Sequence, residues 1–281
     1  MKRYALAISI LSCLFLFGCH EDLRDRWVDA MKNCASTDIN SKTILYFGPS
    51  NNVGPGSVWR ETVDDKGNHV DYRLRYIEAD LPAPKNFLQR AEDNAFQCRD
   101  GRTASFSLSA SASATISAFP LSAELSNDFK RAKKVSVTVG GMAWDQIKEQ
   151  PFEEYFRKTL GPGHPVYEDM NGPNRFVLYR ALAVRDLVID LEFSNEDAAS
   201  LKAKYTGSLG SLAQGTIGAG ISATWKSTNT LSITAPGRSW ILGELCKFRP
   251  SSGFAGVGAT RLQPVNIPKA AILKLELQAK P

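Results

Sequence analysis

Residues able to carry chemistry are few and scattered. Among 281 residues there are three histidines, His20, His69 and His164, each isolated from the others. A zinc site draws about four Cys, His or carboxylate ligands into one shell, and this chain has no spacing that suggests one, so no metal is expected. The sequence contains no GxSxG elbow, GxxxxGK[ST] loop, HExxH helix or CxxC pair. Gly253-Phe254-Ala255-Gly256-Val257-Gly258 is glycine-rich but lacks the order of a dinucleotide loop, and no cofactor is expected. Three adjacent acidic pairs, Asp64-Asp65, Glu153-Glu154 and Glu168-Asp169, could supply a general acid and base for a hydrolase. Adjacent carboxylates are more often exposed surface, and Glu153-Glu154 sits where a helix N-terminus favours negative charge. The five tryptophans, Trp27, Trp59, Trp144, Trp225 and Trp240, could form a platform for a glycan or could each fill a core. A non-enzymatic protein is the expectation.

Charge excludes another class. The chain carries 34 Lys+Arg against 29 Asp+Glu, and its densest basic cluster is Lys130, Arg131, Lys133 and Lys134. Nucleic-acid binders concentrate such charge on one face, so no nucleic-acid partner is expected.

The first eighteen residues read as a signal. Lys2 and Arg3 form a basic start, Tyr4 to Phe17 an apolar run, and Leu16-Phe17-Gly18-Cys19 follows. Those four residues resemble the lipobox of bacterial lipoprotein precursors, with Phe17 departing from the small residue usual there. The resemblance implies cleavage before Cys19 and acylation of Cys19. The protein would then be anchored to a membrane by lipid rather than spanning it, since several acyl chains hold where one binds only marginally. His20 and Glu21 after the cysteine, in place of Asp, point to the outer membrane. The expected organisation is a signal over 1–18 and a single β-rich envelope domain over 19–281. Of the remaining cysteines, Cys34, Cys98 and Cys246 would meet an oxidising compartment, where one disulfide and one free thiol fit. Sequence leaves three pairings open; joining of successive cysteines during export favours Cys34 with Cys98.

The elements that must position anything functional are mostly strands. Thr43–Phe47, Val70–Ile77, Lys134–Val139, Phe176–Val184, Leu187–Phe193, Thr228–Thr234, Trp240–Phe248 and Ala271–Leu277 are rich in β-branched and aromatic residues between turn signals. Helices are expected near Leu23–Met31, at Phe87–Ala95, at Pro151–Leu160 before Gly161, and after a Ser194 cap through Lys204. The fold class is therefore α+β, mostly antiparallel β with a few short helices packed on the sheet.

Two segments depart from ordinary strands. From Thr103 to Ala118 every odd position is Ser or Thr and every even position is apolar, including Phe106, Leu108 and Ile116. In a strand this writes one hydroxyl face and one apolar face, uncharged, over about 50 Å if unbent at about 3.3 Å per residue. From Ala213 to Trp225 a second uncharged alternation carries Ile217, Ile221 and Trp225 on one phase. A transmembrane strand takes roughly 9–11 residues, apolar toward lipid and polar toward a lumen, so both segments are long enough. The same alternation also makes long, half-buried strands of a soluble sheet.

The stretches His164-Pro165-Val166, Arg175-Phe176-Val177-Leu178-Tyr179-Arg180-Ala181-Leu182, Leu231-Ser232-Ile233 and Ile241-Leu242-Gly243 resemble the amino-terminal domain of gasdermin-type pore-forming proteins. That resemblance implies insertion of β-hairpins into membranes and a homo-oligomer, although those proteins are cytosolic and lack a lipoprotein signal. The leading expectation is a lipid-anchored outer-membrane lipoprotein with a binding or structural role toward an envelope protein or glycan. The alternative is a membrane-perforating protein that inserts residues 103–118 and 213–225.

Overall fold

The computed structural model describes residues 41–67, 69–92, 95, 104–109, 131–205, 222–248, 262–267 and 272–274. The expected α+β class holds: a 12-stranded sheet carries three short α-helices among the described residues. The strands are β1 (Ile44–Ser50), β2 (Val58–Val63), β3 (His69–Tyr76), β4 (Leu88–Gln89), β5 (Ala104–Ser109), β6 (Lys134–Val139), β7 (Gly141–Ile147), β8 (Arg175–Glu192), β9 (Ser222–Trp225), β10 (Thr230–Phe248), β11 (Leu262–Pro264) and β12 (Ile272–Lys274). All pairings are antiparallel except that of β12 with β3. No helix of the described residues is long and apolar enough to cross a membrane, which leaves strands untouched by the statement.

Two strands form the spine. β8 has 18 residues and β10 has 19, and they pair along nearly their whole length, from Thr230 opposite Glu192 to Cys246 opposite Val177. The sequence reads each as two strands, Phe176–Val184 with Leu187–Phe193 and Thr228–Thr234 with Trp240–Phe248. The structure corrects this: the residues between them are absorbed as irregularities within continuous strands. Asp186 takes φ 51, Gly237 takes φ 77, and the register shifts between Ala235 and Arg238. The Gly237 N–H donates to Asp186 Oδ1 at 3.3 Å. Gly140, between β6 and β7, lies at the same level, its N–H on the Arg185 carbonyl at 2.8 Å. A crease thus crosses the sheet at Gly140, Asp186 and Gly237, of the kind a β-bulge makes.

Below the crease, β8 and β10 are flanked by β7, β2 and β1. One cluster gathers Phe47, Trp59, Tyr72, Phe176 and Trp240; another gathers Phe87, Phe152, Tyr155, Phe156 and Met170 beneath the helices. Helix α1 (Glu149–Tyr155) continues as a π-helical turn, Phe156–Leu160, and ends at Gly161 with φ 64, so the expected stop is met. Helix α2 (Pro165–Met170) starts on His164, whose Nδ1 accepts the Val166 N–H at 3.2 Å. Helix α3 (Asn195–Lys204) lies above the crease and opens on Ser194, whose Oγ accepts the Asp197 N–H at 3.0 Å, as the cap signal requires.

The helix expected at Phe87–Ala95 is a correction. Leu88–Gln89 instead pairs with Ile147 and Gln146 of β7. Phe87 inserts between Phe152 and Tyr155, with ring centroids 5.0 and 4.7 Å away, and a single large apolar anchor of this kind overrides a weak helical period. The expected Leu23–Met31 helix lies outside the described residues.

Candidate functional site

Above the crease five strands of the described residues lie side by side in the order β5-β6-β8-β10-β9. Their registers align residue types in rows. One row runs Leu108, Val135, Leu191, Leu231, Trp225, and two positions along another runs Phe106, Val137, Ile189, Ile233, Ala223. Between them lies Ser107, Ser136, Asp190, Ser232, Thr224, followed by Ser105, Thr138, Val188, Thr234, Ser222. Because successive residues of a strand alternate faces, the ladder is amphipathic as a unit, apolar on one side and mostly hydroxyl-bearing on the other.

The apolar side is covered by α3. Val135, Val137, Ile189, Leu191, Leu231 and Ile233 are buried in one cluster with Ala198 and Leu201 of the helix and with Phe193. This cover is thin, because Ala198 and Leu201 are the residues α3 buries. Trp225 packs partly buried at the margin, 6.1 Å from the Phe193 ring. Lys202 of α3 places its Nζ 4.6 Å over the Trp225 ring and donates to the carbonyl of Thr228 at 2.8 Å, tying the helix to the turn after β9. Among the described residues the buried indole Nε1 of Trp225 finds no acceptor.

Above the crease the central strand β8 carries Glu192 at its end and, within the polar side, Asp190. Lys226 donates to its Oδ2 at 2.9 Å. Burial works against ionisation of Asp190, but hydrogen bonds from Lys226 and Ser232, with the Lys226 charge, outweigh it and hold the carboxyl below its usual range.

The region below the crease is held differently. Asp145, 1 % exposed, accepts from Ala91 N–H at 2.7 Å, from Trp240 Nε1 at 2.8 Å and from the Arg238 guanidinium. Arg238 also donates to the Ala91 carbonyl at 3.0 Å. Buried Glu244 accepts from Arg180 Nε at 2.6 Å and from Thr43 Oγ1 at 2.8 Å, and Arg180 lies 4.7 Å over the Trp144 ring. Asp169 receives Arg75 at 3.2 Å and Arg175 at 2.7 Å.

Several residues singled out in the sequence fall on these elements. Phe106 and Leu108 stand on β5 at one side of the ladder and Trp225 on β9 at the other, so the structure brings the described parts of the two alternating segments, 104–109 and 222–225, to a single sheet. Ile116, Ile217, Ile221, Cys19, Cys34 and Cys98 lie outside the described residues. Cys246 is a free, buried thiol pushed up to about 12, chiefly by burial and then by nearby Glu244 and Glu149. The three acidic pairs are engaged in structure: Asp64 caps a turn by accepting from Lys66 N–H at 2.9 Å, Glu153 pairs with Arg157 at 3.3 Å, and Glu168 accepts from Gly163 N–H at 2.9 Å. Asp145 and Glu244 escape the sequence reading altogether. A lone acid on the buried phase of an alternating strand, as Asp145 is between Ala143 and Ile147, is the signal that finds such a residue.

The sequence model of the Bacterial Gasdermin Family matches residues 47–241, and the chain belongs to that family. Among solved structures, a bacterial gasdermin from Bradyrhizobium tropiciagri is similar over 91% of this chain and 100% of its own, at 14% identity and a TM-score of 0.43. No curated protein sequence matches significantly.

Proposed function

We propose that this protein perforates membranes by lengthening amphipathic β-hairpins from the ladder above the crease, as a non-enzymatic homo-oligomer. The observation that supports it most is the row pattern: five strands already share one apolar and one hydroxyl-rich side, the arrangement a barrel wall needs. Family membership over residues 47–241 supports the same reading and favours it over the envelope-binding role that leads from the sequence. The acidic pairs that would have served a hydrolase are committed to turns and ion pairs.

Residues 103–118 and 213–225 supply the lengthening strands, with Phe106, Leu108, Ile116, Ile217, Ile221 and Trp225 facing lipid. A lipid on Cys19, after removal of 1–18, holds the chain at the surface it perforates, at the outer membrane. Pairing of Cys34 with Cys98 leaves Cys246 as the free thiol.

Release of a trapped dye from vesicles of phosphatidylethanolamine and phosphatidylglycerol tests the reading, with the purified protein added before and after limited proteolysis. Dye release accompanied by a high-mass assembly is expected. No release and no assembly under either condition overturns it. Palmitate labelling that persists in Cys19→Ala would overturn the anchor.

A further inference from the structure

We infer that β9 stands in for a strand of a second copy of this chain, occupying the edge of β10 onto which β5 of a neighbouring copy adds during assembly. This rests on the pore-forming reading above and adds to it the seam between copies.

Strand parity gives the first argument. Every pairing in the ladder is antiparallel, so β5, β8 and β9 run one way and β6 and β10 the other. Copies arranged around an axis along the strands keep these senses. With five strands per copy, β9 of one copy would meet β5 of the next in parallel. With β9 peeled from that edge to lengthen β10 from its start, β10 meets β5 in antiparallel sense, and each copy contributes the even number that an all-antiparallel barrel of identical subunits requires. An interface of this head-to-tail kind makes a ring where its rotation closes, whereas an uncovered β10 edge in the monomer would invite uncontrolled pairing.

The second argument is residue order. β9 reads Ser222-Ala223-Thr224-Trp225, and β5 reads Ser105-Phe106-Ser107-Leu108. Both run hydroxyl, apolar, hydroxyl, apolar in the same sense. β9 sets Ser222 opposite Thr234, Ala223 opposite Ile233, Thr224 opposite Ser232 and Trp225 opposite Leu231. A neighbour's β5 in the same register sets Ser105, Phe106, Ser107 and Leu108 at those positions. Each row then continues unbroken from one copy to the next, and Phe106 replaces Ala223 opposite Ile233 with a larger apolar residue.

The hold on β9 is local. It is four residues long and fastened by Lys202 on the Thr228 carbonyl, Lys226 on Asp190 and the Ser222–Thr234 hydroxyl contact at 2.6 Å. The last contact places an exposed and a half-buried side chain opposite each other, where a disulfide can form.

The test compares two locks in the full chain on the vesicles described above. Oxidised S222C/T234C fixes β9 on β10; oxidised Q89C/Q146C fixes β4 on β7, an exposed pair outside the ladder. The expected result is loss of dye release and of the high-mass assembly with the first lock, recovery of both on reduction, and unchanged release with the second. Release by oxidised S222C/T234C, or equal block by both locks, overturns the inference while leaving the pore-forming reading standing. Absence of release by the unmodified chain overturns both. Independently, S105C mixed with T234C should give a disulfide-linked dimer on vesicles that neither variant gives alone, and its absence counts against the seam.

Discussion

The two sides of the crease are built from the same two strands and stabilised by different means. Below it, β8 and β10 are locked by buried carboxylates, Asp145 and Glu244, each engaged by an arginine and a further donor. Such bonds are directional, and losing one partner strands the other without water. Above it, the same strands carry alternating hydroxyl and apolar rows with a thin helical cover, and Asp190 among the hydroxyls pairs with exposed Lys226. Hydrophobic contact of that sort is non-directional and can be exchanged for another apolar surface, lipid included. The lesson is a division of labour within one sheet: a base that must keep its partners and an end that can change them.

The largest test of that division is Asp145→Ala. It leaves Arg238, Trp240 Nε1 and Ala91 N–H without their acceptor and should lower global stability by about 3 kcal/mol, read as a shift of the denaturant midpoint. A change below about 1 kcal/mol would mean the base is not held by this cluster. Next comes Leu201→Ala, which thins the cover of the ladder. About 2–3 kcal/mol should be lost, and hydrogen exchange should quicken in Asn195–Lys204 while β1 and the lower half of β10 stay protected. Equal quickening on both sides of the crease would erase the distinction. Ser194→Ala removes the cap of α3 and should cost about 1 kcal/mol, with the same local exchange signature.

The smallest effect concerns alkaline pH. Burial raises Cys246 from 9.0 to about 12 and Tyr155 from 10.0 to about 12. Above pH 9 the unfolded chain ionises the thiol while the folded chain keeps it protonated, so the contribution to stability is full below pH 9 and is lost as pH rises toward 12. The thermal midpoint should fall across that window, and Cys246→Ala should flatten the onset of the fall. An unchanged slope in the variant would locate the alkaline sensitivity elsewhere.

Much of the ladder was legible because alternation is a local code. Lys134–Val139 and the Ser194-capped helix agree with their sequence signals, and the odd-even pattern at 104–109 and 222–225 gives strands. That the two patterns meet on one sheet was not legible, since pairing across more than a hundred residues depends on β6, β8 and β10 between them. The base was read less well. Asp186 and Gly237 look like turn residues, yet each takes a positive φ inside a strand because the opposing irregularity matches it. Asp145 and Glu244 look like ordinary surface acids until the fold brings Arg238 and Arg180 to them. Leu88 follows Phe87 into the core rather than forming a helix, a choice made by aromatic neighbours 65 and 68 positions away in sequence.

The length of β8 and β10 has a kinetic consequence. A new hairpin formed in isolation must first bring two chain segments together and find their register, and that search carries the loop-closure entropy. Here residues beyond Glu192 and before Thr230 emerge from a pair whose register is already fixed by fourteen aligned positions. Lengthening them is propagation from a standing seed rather than nucleation, so the slow step of any such change lies in uncovering the seed.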